Sequence, residues 1–343
     1  MLAINYNSNG TYPNTHTLSS DPSTRCTDPI RLLAQDLCTR PSQSALSSAF
    51  LKTPTKQIIY RLPRMASGST RDTGSELHPD KYSYVDAALN AGYSILTYYR
   101  LGVGPSEKPD GYEIVQMSVK TEILKELAVL ARSGTLSEKA PSIHVLSSDK
   151  VVLGGNSCGS GLTIAVLANY PHLADGAVST GLIPNTQFGA AGQRAFGLVY
   201  AAISNPSRFG DRGRGYLVQG TESSLQQVFF KKGSFEPEML KYANSIKETG
   251  AAGGLVSFPA ALAMSAAGFM GPILFALAEY DMGTCLGDCK DTYNLTALKD
   301  GMFPGAGDVR VHLQLGSGHA LTLNVNATGH YEAIFAYLRE HGM

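Results

Sequence analysis

The sequence predicts an α/β protein with a mainly parallel sheet covered by helices on both faces. Short apolar runs rich in β-branched residues alternate along the chain with longer stretches of helical period, an order typical of parallel sheets. One such run, residues 150–154, leads through a glycine-rich turn directly into an apolar helix. With 343 residues, 43% of them apolar and 16% charged, the chain is long enough for one large core or for a core with an insertion.

The predicted elements follow one another in this order. Residues 1–54 are rich in Ser, Thr, Pro and Asn and predict an irregular N-terminal segment with one short helix at 29–37. Strands are predicted at residues 56–62, 93–98, 142–146, 150–154, 177–181, 272–278 and 309–315, and helices at 84–91, 115–132, 160–170 and 329–340. The alternation stops at residues 184–269, where aromatic residues are frequent. We therefore expect a helical lid inserted into a core of residues 55–183 and 270–343.

The glycine-rich turn is Gly155-Asn156-Ser157-Cys158-Gly159, a Gly-x-Ser-x-Gly pattern between a strand and a helix. In this arrangement the serine lies on a strained turn that projects its hydroxyl above the sheet edge. Side chains two residues before and after it would collide with the strand and the helix, which explains the glycines. The backbone N–H of Cys158 opens the helix, where developing negative charge is favoured. The turn predicts a nucleophilic Ser157; the alternative is a Gly/Ser-rich turn without chemistry.

Charge and hydropathy limit the classes of partner. Twenty-eight basic residues balance 28 acidic ones, so the net charge is zero, which argues against nucleic acid or an anionic membrane as the main partner. Residues 249–278 carry no charge and are long enough to cross a bilayer. They contain five glycines and two prolines, so we interpret them as a loop, a helix at 259–267 and a buried strand at 272–278. No membrane span is predicted, and the sequence does not indicate an oligomeric state.

A serine nucleophile needs a base, and the base needs an orienting carboxylate. In a parallel sheet, both are expected just past the carboxyl ends of later strands. The strand at 272–278 is followed by Glu279-Tyr280-Asp281, and the strand at 309–315 by Gly316-Ser317-Gly318-His319. The order Ser157, Asp281, His319 is that of an α/β-hydrolase. We expect His319 to be the base and Asp281 the carboxylate that orients it.

Three neighbouring residues compete for these roles. Glu279 lies two residues before Asp281, and Asp288 lies close after it, so either carboxylate is an alternative partner for the histidine. Cys158 resembles a nucleophile, but it stands at the helix-opening position, where its N–H is the expected contribution. No Cys/His metal-ligand pattern is present, and we expect neither a metal nor a cofactor.

The cysteines and the glycosylation triplets bear on the cellular compartment. The five cysteines are Cys26, Cys38, Cys158, Cys285 and Cys289. Cys285 and Cys289 enclose a loop short enough for a local disulfide; the alternative is that these two are unpaired thiols. Asn9, Asn294 and Asn326 begin Asn-x-Thr triplets, which suggest secretion. The first residues show no basic and apolar signal pattern, which favours the cytoplasm instead.

These motifs resemble the α/β-hydrolase superfamily, and more closely a group of fungal, often secreted α/β-hydrolases. The resemblance covers residues 82–343. It is carried by the turn at Ser157, by Tyr280-Asp281, and by the segments YSYVDAAL at 82–89, AGYSILTYYRLGVGPS at 91–106, GYLVQGTE at 215–222, CLGDC at 285–289 and GHALTLNVNATG at 318–329. It implies the fold, the roles of Ser157, Asp281 and His319, and a helical lid. It does not imply a substrate.

Two departures from that family pattern concern catalysis. Such hydrolases usually carry His-Gly after an early strand, and the loop behind it donates a second N–H to the oxyanion. Here residues 58–68 read IIYRLPRMASG, without His-Gly. The family also usually has Asp where this chain has Tyr99, before Arg100. Because one oxyanion donor is typically worth about 10²–10³ in turnover, either an N–H near residues 65–68 substitutes or the activity is specialised or weak.

The leading hypothesis from the sequence is a serine hydrolase that cleaves an ester, thioester or lactone of a small, largely apolar molecule. The first alternative is a biosynthetic hydrolase or cyclase acting on a polyketide-like intermediate, which would use the same three residues. The second alternative is a binding protein whose oxyanion site is broken. An aspartate nucleophile, as in dehalogenases and epoxide hydrolases, is disfavoured because Ser157 stands at that position.

Overall fold

A computed structural model describes residues 46–49, 56–61, 79–136, 150–184 and 190–343. Their main sheet has the strands β1 Leu46–Ala49, β2 Lys56–Arg61, β3 Ser94–Tyr98, β4 Lys150–Asn156, β5 Gly176–Thr180, β9 Pro272–Ala278 and β10 Asp308–Gln314. The spatial order is β1-β3-β2-β4-β5-β9-β10. β1 is antiparallel to β3 at one edge, and the other neighbours pair in parallel.

Helices cover both faces of this sheet. The α-helices are Pro79–Tyr82, Tyr84–Asn90, Met117–Ser133, Cys158–Asn169, Ala190–Ala195, Ala201–Ser204, Pro206–Phe209, Glu222–Phe229, Pro237–Ile246, Ala252–Leu262, Met282–Cys285, Leu295–Ala297 and Ala327–Glu340. A π turn, Leu298–Met302, and a 3₁₀ turn, Leu321–Leu323, complete them.

The pleat of β4 divides the core into two clusters. Val151 and Leu153 face the cluster beneath the helices Met117–Ser133 and Cys158–Asn169, whereas Val152 faces the cluster beneath Tyr84–Asn90 and Ala327–Glu340. The helix Cys158–Asn169 is buried on nearly every side because a third helix, Ala252–Leu262, also packs on it. This burial explains why its sequence is apolar all round rather than amphipathic.

Between β5 and β9, which are neighbours in the sheet, the described chain includes residues 190–269, here called the inserted segment. Besides short helices, its described part contains a three-stranded antiparallel sheet of β6 Leu198–Tyr200, β7 Tyr216–Gln219 and β8 Gly250–Ala251. A third apolar cluster joins Leu101, Val115 and Val119 of the core to residues of this sheet.

Three glycines bring the backbones of the inserted segment and the core into direct contact. Gly253 N donates to Gly111 O at 2.8 Å. A Cβ on Gly111 would lie 2.9 Å from the carbonyl carbon of Gly215, and one on Gly253 would lie 2.4 Å from Tyr112 O. Real Cβ contacts are not that short, so a side chain at any of these positions would force the two backbones apart.

Most of the described elements agree with the sequence prediction, and three differ. Leu46–Ala49 is an edge strand in a stretch predicted to be irregular. The inserted segment was predicted helical, but Leu198-Val199-Tyr200 and Tyr216-Leu217-Val218 form strands, as β-branched and aromatic residues favour. The helix predicted at 259–267 instead spans Ala252–Leu262, with Pro259 inside its last turns rather than at its start.

Two predicted elements, the helix at 29–37 and the strand at 142–146, lie outside the described residues. The uncharged stretch at 249–278 contains β8, the helix Ala252–Leu262 and β9. Within the described residues, no helix is long and apolar enough to cross a membrane.

Candidate active site

Ser157 stands between β4 and the helix Cys158–Asn169 with φ 55° and ψ −117°, a conformation that non-glycine residues rarely adopt. The flanking glycines permit the turn. A Cβ on Gly155 would lie 2.3 Å from the carbonyl carbon of Gly159, so the two glycine backbones pack directly on one another. The crowding predicted from the pattern is therefore observed between the glycines themselves. Ser157 is half-buried and its side chain faces a cavity.

Hydrogen bonds to β5 hold the strained turn in place. Ser157 N donates to Thr180 O at 2.8 Å. The buried Ser160 Oγ lies 2.7 Å from Gly155 O and 2.9 Å from Thr180 O, and it accepts from Thr180 N at 3.0 Å. Thr180 Oγ1 also donates to Asn156 Oδ1 at 2.9 Å. The turn is thus held on both sides by hydrogen bonds between buried groups.

Asp281 follows β9 and is completely buried. Its Oδ1 accepts a hydrogen bond from Thr284 N at 2.8 Å, and its Oδ2 lies 2.7 Å from Nδ1 of His319. Thr284 Oγ1 donates to Gly181 O at 2.7 Å, which ties this loop to the end of β5. Both carboxylate oxygens therefore have a partner, and the carboxylate has one orientation.

The two competing carboxylates have other partners. Glu279 pairs with Lys290 and accepts from Gly316 N at 2.7 Å. The hydrogen bond from Lys290, and after it the one from Gly316, lowers the pKa of Glu279. Asp288 Oδ1 accepts from Lys290 N at 3.0 Å. Among the described residues, the carboxylate that contacts His319 is that of Asp281.

His319 lies in the turn after β10 and is 1% exposed. Its ring centroid is 5.3 Å from that of Phe229. A Cβ on Gly181 would come within 3.3 Å of His319 Cε1 and within 3.0 Å of Asn156 Oδ1, so the imidazole lies beside the turn of Ser157. The Nε2 atom is buried and has no hydrogen-bond partner among the described residues, Ser157 included.

A cavity of about 990 Å³ lies between the core and the inserted segment, with Ser157 and Cys158 in its wall. Ligand sites for small molecules typically reach about this size. Its lining is mostly apolar and includes Leu182, Ile183, Phe196, Leu198, Leu217 and Phe258. Three long polar side chains interrupt that lining: Arg100, Lys120 and Gln219.

No protein-family model and no curated protein matches the chain, but many solved structures do. The monoacylglycerol lipase of Paleococcus ferrophilus matches with a TM-score of 0.55 at 14% identity, over 86% of this chain and 99% of the lipase. An esterase of Thermogutta terrifontis gives 0.54 at 14%, over 87% and 93%. A monoglyceride lipase of Saccharomyces cerevisiae gives 0.54 at 13%, over 86% and 90%. The chain has the α/β-hydrolase fold.

In this α/β-hydrolase fold, β2 runs beside the strand that leads to Ser157. Arg61, the last residue of β2, pairs with Gly155. Residues 65–68, where the sequence predicts a second oxyanion donor, lie outside the described residues. Cys158 is the first residue of its helix, and the first N–H groups of a helix have no acceptor within it.

The remaining chemical groups can also be placed. Cys285 and Cys289 form a disulfide with a Cα–Cα distance of 5.0 Å, the pairing predicted as one of two alternatives. Cys158 carries a thiol, and Cys26 and Cys38 lie outside the described residues. Within the described ranges, no group of three or more His, Cys, Asp or Glu side chains is arranged to hold a metal ion.

Sequence reasoning assigned no role to the three polar side chains in the cavity wall. For Arg100 a signal existed, because it follows the buried strand β3 and opens a loop of glycines and apolar residues, where a charge needs an explanation. Lys120 belongs to a helix whose other face is polar, and Gln219 ends a strand that was predicted as helix. Neither of them could be singled out from its neighbours in the sequence.

Proposed function

We propose that this protein is a serine hydrolase that cleaves a carboxylic ester, thioester or lactone of a small, largely apolar molecule through an acyl-enzyme. One observation carries the proposal: a strained serine at a helix N-terminus faces a large cavity, with a buried histidine–aspartate pair beside it. The names of the structural neighbours, an esterase and two monoglyceride lipases, support ester cleavage as the reaction class.

In the proposed reaction, Nε2 of His319 takes the proton from Ser157 Oγ as that oxygen attacks the substrate carbonyl. The hydrogen bond to Asp281 keeps the other imidazole proton on Nδ1, so Nε2 carries the lone pair. The oxyanion develops at the N-terminus of the helix Cys158–Asn169, where the Cys158 N–H is its donor. His319 returns the proton to the leaving group, and a water molecule, activated in the same way, then releases the acid.

One observation favours a second candidate function. Nε2 of His319 has no hydrogen bond to Ser157, which is the arrangement expected of a binding protein that keeps the α/β-hydrolase fold without an activated nucleophile. Catalytic hydrogen bonds are often longer in unliganded enzymes and shorten in the complex with substrate. The two candidates therefore differ in the reactivity of Ser157 rather than in its surroundings.

The test is covalent labelling of the purified protein with a fluorophosphonate probe, followed by mapping of the adduct. We expect the adduct on Ser157, its complete loss in Ser157→Ala and a strong decrease in His319→Ala. Ser223→Ala, which removes an exposed hydroxyl from the inserted segment, is the matched control and should label like the wild type. A folded protein that takes up no probe would favour the binding role and end the hydrolase proposal.

A further inference from the structure

The wall of the cavity contains a buried arginine that has no counter-ion among the described residues. Arg100 is 3% exposed, and its one hydrogen bond to a described residue runs from Nη1 to Cys158 Sγ at 2.8 Å. Its Nε is fully buried and has no partner in the described part of the chain, where no carboxylate forms an ion pair with it either. The guanidinium therefore has N–H donors that the described part of the protein does not use.

An arginine in this position is costly for the protein. The guanidinium does not lose its proton at any ordinary pH, so burial cannot be relieved by neutralisation. A buried charge is tolerated when it is paired and hydrogen-bonded, and a thiol is only a weak acceptor. The usual partner of such a group is an oxyanion that two parallel N–H bonds can hold.

The rest of the cavity favours an anion as that partner. Its lining includes two basic side chains, Arg100 and Lys120, and no Asp or Glu of the described residues. Lys120 is 6% exposed, and a Cβ on Gly254 would lie 2.6 Å from its Nζ, so the glycine makes room for the ammonium group. Gln219 adds a buried amide whose Oε1 and Nε2 have no partner among the described residues.

The arginine also lies close to the point of attack. Its guanidinium touches the side chain of Cys158, the residue next to Ser157. An anion bound there would be separated by only a few bonds from a carbonyl carbon that Ser157 Oγ could reach. The guanidinium fork matches the planar carboxylate, and the apolar surroundings suit a carbon chain between the two groups.

We propose that the substrate is an acidic ester, a monoester of a short dicarboxylic acid with an otherwise apolar body, and that Arg100 determines this specificity by binding the free carboxylate. The inference rests on the proposed function, because it names the substrate class of that same site. Lys120 contributes a positive potential, and Arg100 supplies the directed hydrogen bonds.

The test compares the p-nitrophenyl monoester of glutaric acid with p-nitrophenyl pentanoate, in which a methyl group replaces the carboxylate. For the wild type, we expect kcat/KM to favour the acidic ester by at least about tenfold. Arg100→Gln should lower that preference by about tenfold to a hundredfold, mainly through KM. Arg339→Gln removes the same charge from an exposed position outside the cavity and should keep the wild-type preference.

Arg100→Lys keeps the positive charge but lacks the two parallel N–H donors of the guanidinium. It is the second variant, for use if Arg100→Gln does not fold, and we expect its preference for the acidic ester to be intermediate. A labelled, active enzyme that hydrolyses both esters equally or prefers the pentanoate would overturn the inference and leave the proposed function intact. An equal loss of kcat for both esters in the arginine variants would also overturn it, because Arg100 would then act on the reacting carbonyl.

A binding measurement on a variant without the nucleophile tests carboxylate recognition separately from hydrolysis. Calorimetric titration of Ser157→Ala with monomethyl glutarate and with methyl pentanoate measures recognition without turnover. We expect at least about tenfold tighter binding of the acidic ester. Absence of fluorophosphonate labelling would end the hydrolase proposal and, with it, the claim that the acidic ester is a substrate, whereas equal affinity for the two esters would end the carboxylate proposal alone.

Discussion

The surroundings of Ser157 and the wall of the cavity differ in how their buried polar groups are paired. Around Ser157 and His319, the residues Ser160, Thr180 and Asp281 have hydrogen-bond partners for their side-chain oxygens within the protein. In the wall, Arg100 and Gln219 are as deeply buried, yet they leave donors or acceptors without a described partner. Buried polar groups are rarely left unpaired without a reason. The difference separates groups that fix the geometry of the site from groups that are available to a ligand.

His330 shows that an unpaired polar group is not by itself a binding group. It lies in the helix Ala327–Glu340, away from the cavity lining, and neither ring nitrogen has a partner among the described residues. Burial, reinforced by His312, lowers the pKa of His330 to about 3. A histidine can thus enter the core by giving up its charge. Arg100 cannot do so, and this is why the absence of a counter-ion among the described residues supports the proposed ligand.

The largest expected effect comes from changing the carboxylate of Asp281. Asp281→Asn leaves the shape of the loop but removes the charge that holds the His319 tautomer, so kcat should fall by about 10³–10⁴-fold. Glu279→Gln is the matched control: it changes a carboxylate two residues away that pairs with Lys290 instead. Ester hydrolysis by the two variants checks the assignment. A similar loss in both would mean that the loop as a whole, rather than the Asp281 carboxylate, is required.

The second prediction concerns the pH dependence of stability. The folded-state pKa of His330 lies below the unfolded value of about 6.5. The contribution of the neutral His330 side chain to the unfolding free energy is therefore fully present above about pH 6.5 and is lost as the pH falls towards 3. Between pH 7 and pH 4, we expect His330→Leu to remove about 3 kcal/mol of the acid-induced loss in unfolding free energy.

Urea denaturation at several pH values measures this change. His172→Gln alters an exposed histidine and is the control, for which the wild-type pH profile should persist. A profile of His330→Leu parallel to that of the wild type would show that His330 does not titrate as a buried neutral group.

The smallest effects compare one residue from each region directly. Ser160→Ala removes the partner of Thr180 N and should lower the unfolding free energy by about 1–3 kcal/mol. Gln219→Leu removes an amide that has no partner within the described ranges, and it should change the unfolding free energy by less than about 1 kcal/mol, or raise it. Denaturation of both variants at neutral pH gives the two values. If Gln219→Leu were the more destabilising of the two, the amide would be structural after all.

The sequence could predict those parts of the fold in which a local residue pattern coincides with a position fixed by the sheet, such as the end of a strand. The strand, turn and helix around Ser157 have a strict steric pattern. The ends of β9 and β10 place Asp281 and His319 at the same sheet edge, and these two residues do make contact. Glu279 could not be separated from Asp281 in advance, because the choice depends on Lys290 and Gly316, which reach Glu279 through the tertiary structure.

Other features depend on partners that are distant in sequence. Leu46–Ala49 is a strand because it pairs with β3, whose residues lie far along the chain. The sheet of the inserted segment forms because Leu198–Tyr200 finds β7, although aromatic residues at this spacing are equally common in packed helices. The burial of Arg100 without a counter-ion among the described residues depends on the cavity, whose lining comes from both the core and the inserted segment.

The three glycines that join the inserted segment to the core determine how the cavity is closed at this side. Gly111, Gly215 and Gly253 meet through bare backbone, and none has a side chain that could move aside to let the segment lift. The cavity is closed at this join without any ligand, and the hydrogen bond from Gly253 N to Gly111 O would have to break before the segment could move away. A molecule that enters a preformed cavity loses less affinity to the ordering of protein segments than one that must close a mobile cover. For a cavity closed in this way, selectivity depends on its shape and on the charged groups in its wall.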